Sequence, residues 1–328
     1  FFVLFFVRVI LDHKMGGASS TLYCDKELLA NSLEGQVFLI TGGNSGIGLA
    51  LAAQLAKQDA TVIIGCRRLK AGDEAAASVS KGVKVPVKAM ELDLASLDSI
   101  RKFSEAFLSS YPKLHCLMNN AGVMNPPKGE TKDGFETQIG TNHLGHFLLT
   151  NLLLPRLKEC TPSRVVNVSS CAHDVMNGVA GHIDFDDLHF KTRPYDGWVG
   201  YAQSKVANVL FTKELAKRLE GTGVTSYSLH PGFVRSNLIN HSLGRVTRFF
   251  ADPYLTRSMG MIEQWEGIQA SLHCSLESPD KLINGEYYAQ DASPAGYKGG
   301  FPGIISDEGK NPEVAARLWT VSAEAVGI

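Results

Sequence analysis

The sequence predicts an α/β fold, a doubly wound parallel sheet within a single domain. Three observations carry that expectation. Short β-branched runs alternate with longer helical patterns from Gln36 to about Ala289. The first run passes through a glycine-rich turn directly into a helical pattern. No linker-like stretch interrupts the alternation. Strands this apolar, separated by helices, are covered on both faces, and such connections are right-handed.

The elements follow in order. Gln36–Thr41 (QVFLIT) reads as a buried strand, and Gly46–Lys57 as a helix with Ile47, Leu49, Leu51 and Leu55 as apolar positions. Thr61–Gly65 (TVIIG) is the second strand; an Ala-rich helix follows, then a strand near Val83–Glu91 and a helix over Ser96–Ser109. Leu114–Met118 is a fourth strand, Phe135–Lys158 one long helical pattern, and Arg164–Val168 (RVVNV) a fifth strand. Val199–Leu219 is helical and Val224–Leu229 is the sixth strand. About 235–261 the pattern loses its period and mixes Leu238, Phe249, Phe250 and Tyr254 with basic residues. A segment that long without regular structure usually carries function, and here it is expected to cover a substrate. Asn311-Pro312-Glu313 reads as a helix start, with an N-cap, a proline in the first turn and an acid beside it.

Composition narrows the function. The 328 residues are 44% hydrophobic and 20% charged, with a net charge of −1, which excludes a disordered chain. It also argues against a nucleic-acid partner, which takes a basic surface. Cys24, Cys66, Cys116, Cys160, Cys171 and Cys274 form no C-x-x-C pair and read as free thiols of a reducing compartment. The histidines show no metal-ligand spacing, so no metal is expected.

Residues 1–30 stand apart from the domain at 31–328. They open with the Phe-rich run Phe1–Leu11. Eleven helical residues reach about 17 Å, short of the roughly 30 Å hydrocarbon core. Three readings stay open: the remnant of a longer membrane anchor, a segment lying on a membrane surface, or an element packed on the domain.

The glycine turn is Thr41-Gly42-Gly43-Asn44-Ser45-Gly46-Ile47-Gly48. Between a strand and a helix, such a turn lets backbone N–H groups approach a pyrophosphate at the helix N-terminus. Gly42, Asn44, Ser45, Gly46, Ile47 and Gly48 are therefore candidate dinucleotide-binding residues. No Gly-Lys-Ser/Thr follows, so a triphosphate loop is unsupported. After the second strand come Arg67 and Arg68, with no acid before Asp73. A guanidinium there suits the 2′-phosphate of NADP(H), where an acid would select NAD.

With TGGNSGIG (41–48) stand Asp93-Leu94, Asn119-Asn120-Ala121-Gly122, Asn142, Ser170, Tyr201-x-x-x-Lys205 and Pro231-Gly232. In this order and spacing the chain resembles the short-chain dehydrogenase/reductases over roughly Gln36–Ala289, a Rossmann-type fold. GCRR, LDLASLDSIR, NNAGVM, TNHLGHFLLTNLLLPRL, VVNVSS and YAQSKVANVLFTKELAKRL make it most similar to the retinol dehydrogenase branch. The resemblance does not reach residues 1–30 and weakens after Pro231.

The resemblance implies residue roles. Tyr201 is the general acid for carbonyl reduction and base for alcohol oxidation; Lys205 and the oxidised nicotinamide favour its phenolate, and Lys205 holds the nicotinamide ribose. Bringing a tyrosine from a pKa near 10 to about 7 takes roughly 4 kcal/mol. Ser170, rather than the adjacent Ser169, bonds the substrate oxygen, and Asn142 supports a water-linked proton relay. Asp93 with Leu94, and Asn120, border the adenine and its ribose; Gly232 closes the sixth strand near the nicotinamide. Ser236 stands where the family often carries Thr. Asn167-Val168-Ser169 forms a glycosylation sequon inside a core strand and is read as chance, and His230 as structural.

The function expected is an NADP(H)-dependent oxidoreductase for an apolar alcohol or carbonyl, a retinoid or other lipid. Beside a lipid-metabolising relative, a truncated anchor is the better reading of residues 1–11, with membrane association of the endoplasmic-reticulum kind; a cytoplasmic protein is the alternative. An NADP(H)-binding regulator with little turnover is the competing function. An epimerase or dehydratase of the extended branch is a third, which the Gly42-to-Gly46 spacing disfavours. The apolar side of Phe135–Lys158 belongs either to the core or to a homodimer seam.

Overall fold

The computed structural model describes residues 23–176, 178–235, 261–290 and 302–328. Residues 1–22, Ser236 and most of the expected substrate-covering segment lie outside these. The strands are β1 (Val37–Thr41), β2 (Thr61–Cys66), β3 (Lys88–Glu91), β4 (Cys116–Asn119), β5 (Ser163–Val168), β6 (Val175–Met176), β7 (Val179–Ala180), β8 (Val224–His230) and β9 (Tyr287–Ala289). The helices are α1 (Lys26–Ala30), α2 (Gly46–Lys57), α3 (Leu69–Val79), α4 (Leu97–Ser110), α5 (Gly145–Glu159), α6 (Gly197–Arg218), α7 (Gln264–Gly267), α8 (Gln269–Leu276), α9 (Asp307–Lys310) and α10 (Pro312–Val326).

Seven strands form one sheet in the order β3-β2-β1-β4-β5-β8-β9, and every pairing in it is parallel. The order reverses between β1 and β4, and that switch point opens a crevice at the carboxyl ends of the strands. Side chains of β1 alternate between two cores. Phe38 and Ile40 join Leu51, Leu55 and Tyr227 on one face; Val37 and Leu39 join Phe103, Leu148 and Phe211 on the other. Both faces are buried, so the sequence of β1 is a continuous apolar run rather than an alternating one.

Four departures from the sequence reading have physical causes. The strand expected near Val83–Glu91 is only Lys88–Glu91; Pro86 lies just ahead and has no N–H for a ladder. Strand β9 and the β6–β7 hairpin, three and two residues per strand, are too short to show a period. The long pattern at Phe135–Lys158 is interrupted: Ile139–Leu144 forms a wide π-helical turn before α5 begins at Gly145. A Cβ at Gly145 would stand 2.5 Å from the Leu94 carbonyl oxygen, so that close crossing depends on glycine. Such turns recur at functional sites, and this one carries Asn142.

The apolar side of α5 is covered by the chain itself. Trp319 of α10 packs edge-on against Phe147, with ring centroids 4.9 Å apart, and lies 5.8 Å from Phe211 of α6. Arg218 sits over the Trp319 ring at 4.4 Å. Asn311 caps α10 by accepting from the N–H groups of Glu313 and Val314, as the Asn-Pro-Glu start implies.

Candidate active site

The glycine turn leaves β1 and enters α2. Gly42 and Gly46 have φ of 65° and 54°, the left-handed region that glycine enters without steric cost. Gly48 is required by proximity instead: a Cβ there would stand 2.6 Å from Asn120 Nδ2 and 2.7 Å from the Gly42 carbonyl oxygen.

Thr41 ties this turn to the end of β4. Its Oγ1 accepts from the N–H groups of Asn120 (3.0 Å) and Ala121 (2.9 Å). Asn120 Nδ2 in turn donates to the Thr41 carbonyl at 2.8 Å. The Thr41 hydroxyl also meets His146 Nε2 at 2.8 Å, while His146 Nδ1 meets the Asn142 carbonyl at 3.0 Å. A carbonyl only accepts, so Nδ1 carries the ring proton and Nε2 takes the threonine's. Burial holds His146 neutral, its pKa pushed down to about 4.

Between these elements lies a cavity of about 520 Å³, a common size for small-molecule sites. One end is lined by Gly42, Asn44, Ser45, Gly46, Ile47 and Gly48, and by Cys66, Arg67 and Arg68 at the end of β2. Leu92, Leu94 and Asn120 form its middle, and Val168, Ser169, Tyr201, Lys205 and Pro231 the far end. Most of the sequence candidates therefore converge on one crevice.

Four candidates do not line it: Asp93, Gly232, Asn142 and Ser170, whose neighbour Ser169 does. The Asp93 carboxylate accepts from the Ala95 N–H at 3.1 Å and pairs with Lys132 at 3.3 Å, shaping the turn into α4, while Leu92 and Leu94 face the cavity. Gly232, with φ of 85°, follows the lining Pro231. Asn142, fully buried, stands behind the wall. Its Oδ1 accepts from the Val123 N–H (2.8 Å), and its Nδ2 donates to the Val123 carbonyl (2.9 Å) and to Ser204 Oγ (2.9 Å).

At the far end the two serines differ in their partners. Ser169 Oγ donates to the Lys205 carbonyl at 2.7 Å and is committed to holding α6. The Ser170 hydroxyl is near enough to Tyr201 to oppose the rise of its pKa. Tyr201 and Lys205, four residues apart on α6, share a face, with Lys205 Nζ 5.5 Å from the Tyr201 ring centroid. Lys205 donates to the Val168 carbonyl at 3.1 Å.

Burial dominates the electrostatics. It pushes the Tyr201 hydroxyl above its ordinary value, and the Ser170 hydroxyl opposes this. Burial also pulls the Lys205 ammonium down to about 8. The phenolate expected of an acid–base tyrosine is thus not favoured by Lys205 alone: in a dry site the charged form of each group is disfavoured, and a phenolate needs further positive charge nearby. His230 at the end of β8 is buried and held neutral, its pKa near 3 through desolvation and the neighbouring Lys205 charge, as befits a structural residue. Asn167 of the sequon is 1% exposed within β5 and donates to Thr212.

Thr41, Leu92, Val123 and His146 all stand within the motifs that carry the resemblance, but sequence reasoning gives them no role of their own; His146 lies one helical turn beyond Asn142.

Residues 36–182 match the short chain dehydrogenase family. Retinol dehydrogenase 12 of Bos taurus is 46% identical over 299 residues, 90% of this chain and 88% of that protein. The chain belongs to the short-chain dehydrogenase/reductases. Within the family it is retinol dehydrogenase-like: retinol dehydrogenase 13 of Homo sapiens is 41% identical over 98% of this chain and 91% of its own length. Among solved structures, an uncharacterised Mycobacterium paratuberculosis protein superposes with a TM-score of 0.71 at 35% identity, covering 90% of this chain and 95% of its own. The RhlG/NADP complex of Pseudomonas aeruginosa shares the fold, with a TM-score of 0.61 at 24% identity over 81% of this chain and 96% of its own. As a short-chain dehydrogenase/reductase this protein is an oxidoreductase acting on alcohol and carbonyl groups with a nicotinamide cofactor.

Proposed function

We propose that this short-chain dehydrogenase/reductase uses NADP(H) to interconvert the carbonyl and alcohol of an apolar substrate, a retinoid or another lipid aldehyde or ketone. The observation that carries the proposal is Tyr201 with Lys205 at the end of a crevice whose other end holds Arg67 and Arg68. The crevice fits a dinucleotide: its turn has left-handed glycines and its walls exclude a Cβ at Gly48. Bound there, the nicotinamide supplies or accepts the hydride.

The chain's own residues do the rest. Ser170 donates to the substrate oxygen and stabilises charge developing on it. Tyr201 gives its proton to that oxygen in reduction and takes one in oxidation. Lys205, with the charge of an oxidised nicotinamide, offsets the cost of a buried phenolate. Asn142 braces Val123 and Ser204 beside them.

The purified protein with NADPH should reduce retinal and other long-chain aldehydes, assayed with and without detergent; cofactor binding without turnover of any carbonyl would favour the regulatory reading. Arg67→Ala should weaken NADPH by about 10- to 100-fold, since a hydrogen bond to a charged group contributes about 1.5–3 kcal/mol, and leave NADH unchanged. Wild-type preference for NADH at equal concentrations would defeat the arginine argument.

No helix among the described residues is long and apolar enough to cross a membrane. The Phe-rich run at 1–11 supports the reading that this segment anchors the protein to membranes. Removing residues 1–14 should release it from a membrane pellet, and persistent pelleting would refute the anchor.

A further inference from the structure

The strap that carries Ser170 from β5 toward α6 is fastened by the far C-terminal part of the chain. We propose that His173 is a positioning residue for Ser170, tying the serine's backbone to the segment at 302–310. The inference rests on the carbonyl–alcohol chemistry proposed above.

Ser170 caps the short turn Cys171–His173, its Oγ accepting from the Ala172 N–H at 3.2 Å. The hydroxyl itself points at Cys171 Sγ, 4.0 Å away, a long contact that a substrate oxygen would replace. Two bonds then return from His173 to the Ser170 carbonyl: the backbone N–H at 3.1 Å and ring Nδ1 at 2.6 Å. Because a carbonyl only accepts, Nδ1 carries the proton, and Nε2 of the neutral ring is an acceptor. The Ser306 N–H meets it at 3.3 Å. One imidazole thus joins a serine of the site to Ser306, a residue 133 positions beyond the histidine.

The surroundings fix the ring in this state. It is fully buried, and its centroid lies 4.5 Å from that of Tyr287 in β9. Desolvation pushes its pKa down to about 4, and His230 acts in the same direction. The Asp174 carboxylate and the carbonyls of Ser170 and Ile304 favour the protonated ring but are outweighed.

A second fastening lies nearby. Glu308 Oε1 accepts from the Ile183 N–H at 3.1 Å and lies 3.1 Å from His182 Nδ1. Gly181 permits the strap to close on itself, since a Cβ there would come 2.2 Å from the His173 carbonyl oxygen. Both ends of the strap are therefore pinned by residues 306–308. A donor stabilising a developing oxyanion must stand roughly 2.7–3.1 Å from it, so a slip of the Ser170 carbonyl would take the hydroxyl out of range.

The experiment uses the full chain, retinal or the best aldehyde found, and four variants. His173→Phe keeps a ring against Tyr287 and removes both side-chain bonds. His173→Asn places an amide N–H where Nδ1 stood and restores the bond to Ser170 alone. Ser306→Pro deletes the N–H at a φ of −58° that proline accepts, and Ser306→Ala, losing only the hydroxyl that caps Gly309, is its control. His173→Phe should lower kcat about 10- to 100-fold, the scale of a misplacement near 1 Å, with NADPH affinity and KM unchanged. Its pH–kcat limb for alcohol oxidation should move upward, because the Ser170 hydroxyl that opposes the raised pKa of Tyr201 moves away. His173→Asn should recover to within about threefold, and Ser306→Pro should lose more than Ser306→Ala. Wild-type kcat and pH limb in His173→Phe would overturn the inference. So would loss of NADPH binding in that variant, which assigns the ring to packing, or equal behaviour of the two Ser306 variants. Absence of carbonyl turnover in the wild type, or full activity in Tyr201→Phe, would instead overturn the proposed function.

Discussion

Tyr201→Phe should lower kcat for retinal reduction by roughly 10²–10⁴-fold, the range that general acid–base catalysis supplies. The ring stays, and with it the Lys205 ammonium above its face, so the fold and the crevice are preserved. NADPH affinity, read by the fluorescence of the reduced cofactor, should change by no more than about twofold. Only the proton-carrying oxygen is lost. A variant retaining wild-type kcat would remove the tyrosine from the mechanism. Parallel loss of kcat and of cofactor binding would mean that the hydroxyl holds the site together rather than moving a proton.

Gly48→Ala should damage the other end of the crevice. Its new methyl would meet Asn120 Nδ2 at 2.6 Å, the Gly42 carbonyl oxygen at 2.7 Å and Gly43 Cα at 3.0 Å. Asn120 has little freedom to yield, because its amide already donates to the Thr41 carbonyl. The backbone of the turn must open, and the N–H groups aimed at a pyrophosphate move with it. Overpacking of this kind costs about 1–3 kcal/mol. If it falls on the bound state, NADPH affinity drops by roughly 5- to 150-fold. An unchanged titration would show that the turn adapts and that α2 does not need to sit so close.

These two ends were legible in the sequence for different reasons. TGGNSGIG announces a turn because glycine is needed locally, at Gly42 and Gly46 for φ and at Gly48 for contact. Tyr201 and Lys205 are singled out by the family resemblance, and helical spacing then puts them on one face. What escaped was long-range. Asn142 is placed by a π-helical turn that no hydrophobic period reveals, and it braces the wall without lining it. The resemblance places Asp93 beside the adenine ribose, and spacing does not convey that its carboxylate accepts from Ala95 and pairs with Lys132. Strand β9 has only three residues and gains its meaning from pairing with β8. The phenolate expected of Tyr201 from a nearby cation is countered by burial, a property that spacing cannot convey.

The covering of α5 and α6 by Trp319 and its helix bears on how this enzyme is made. Residues 302–328 hold α9 and α10; they close the apolar seam at Phe147 and Phe211 and supply Ser306 and Glu308 to the strap. The dinucleotide crevice is encoded almost entirely before Pro231, so a chain still on the ribosome can assemble its cofactor-binding half first. The strap that carries Ser170 waits for residues 306–308. A message truncated shortly before Asn311 would yield a protein with the glycine turn intact and an aromatic face bared to solvent, a substrate for quality control rather than a weaker enzyme.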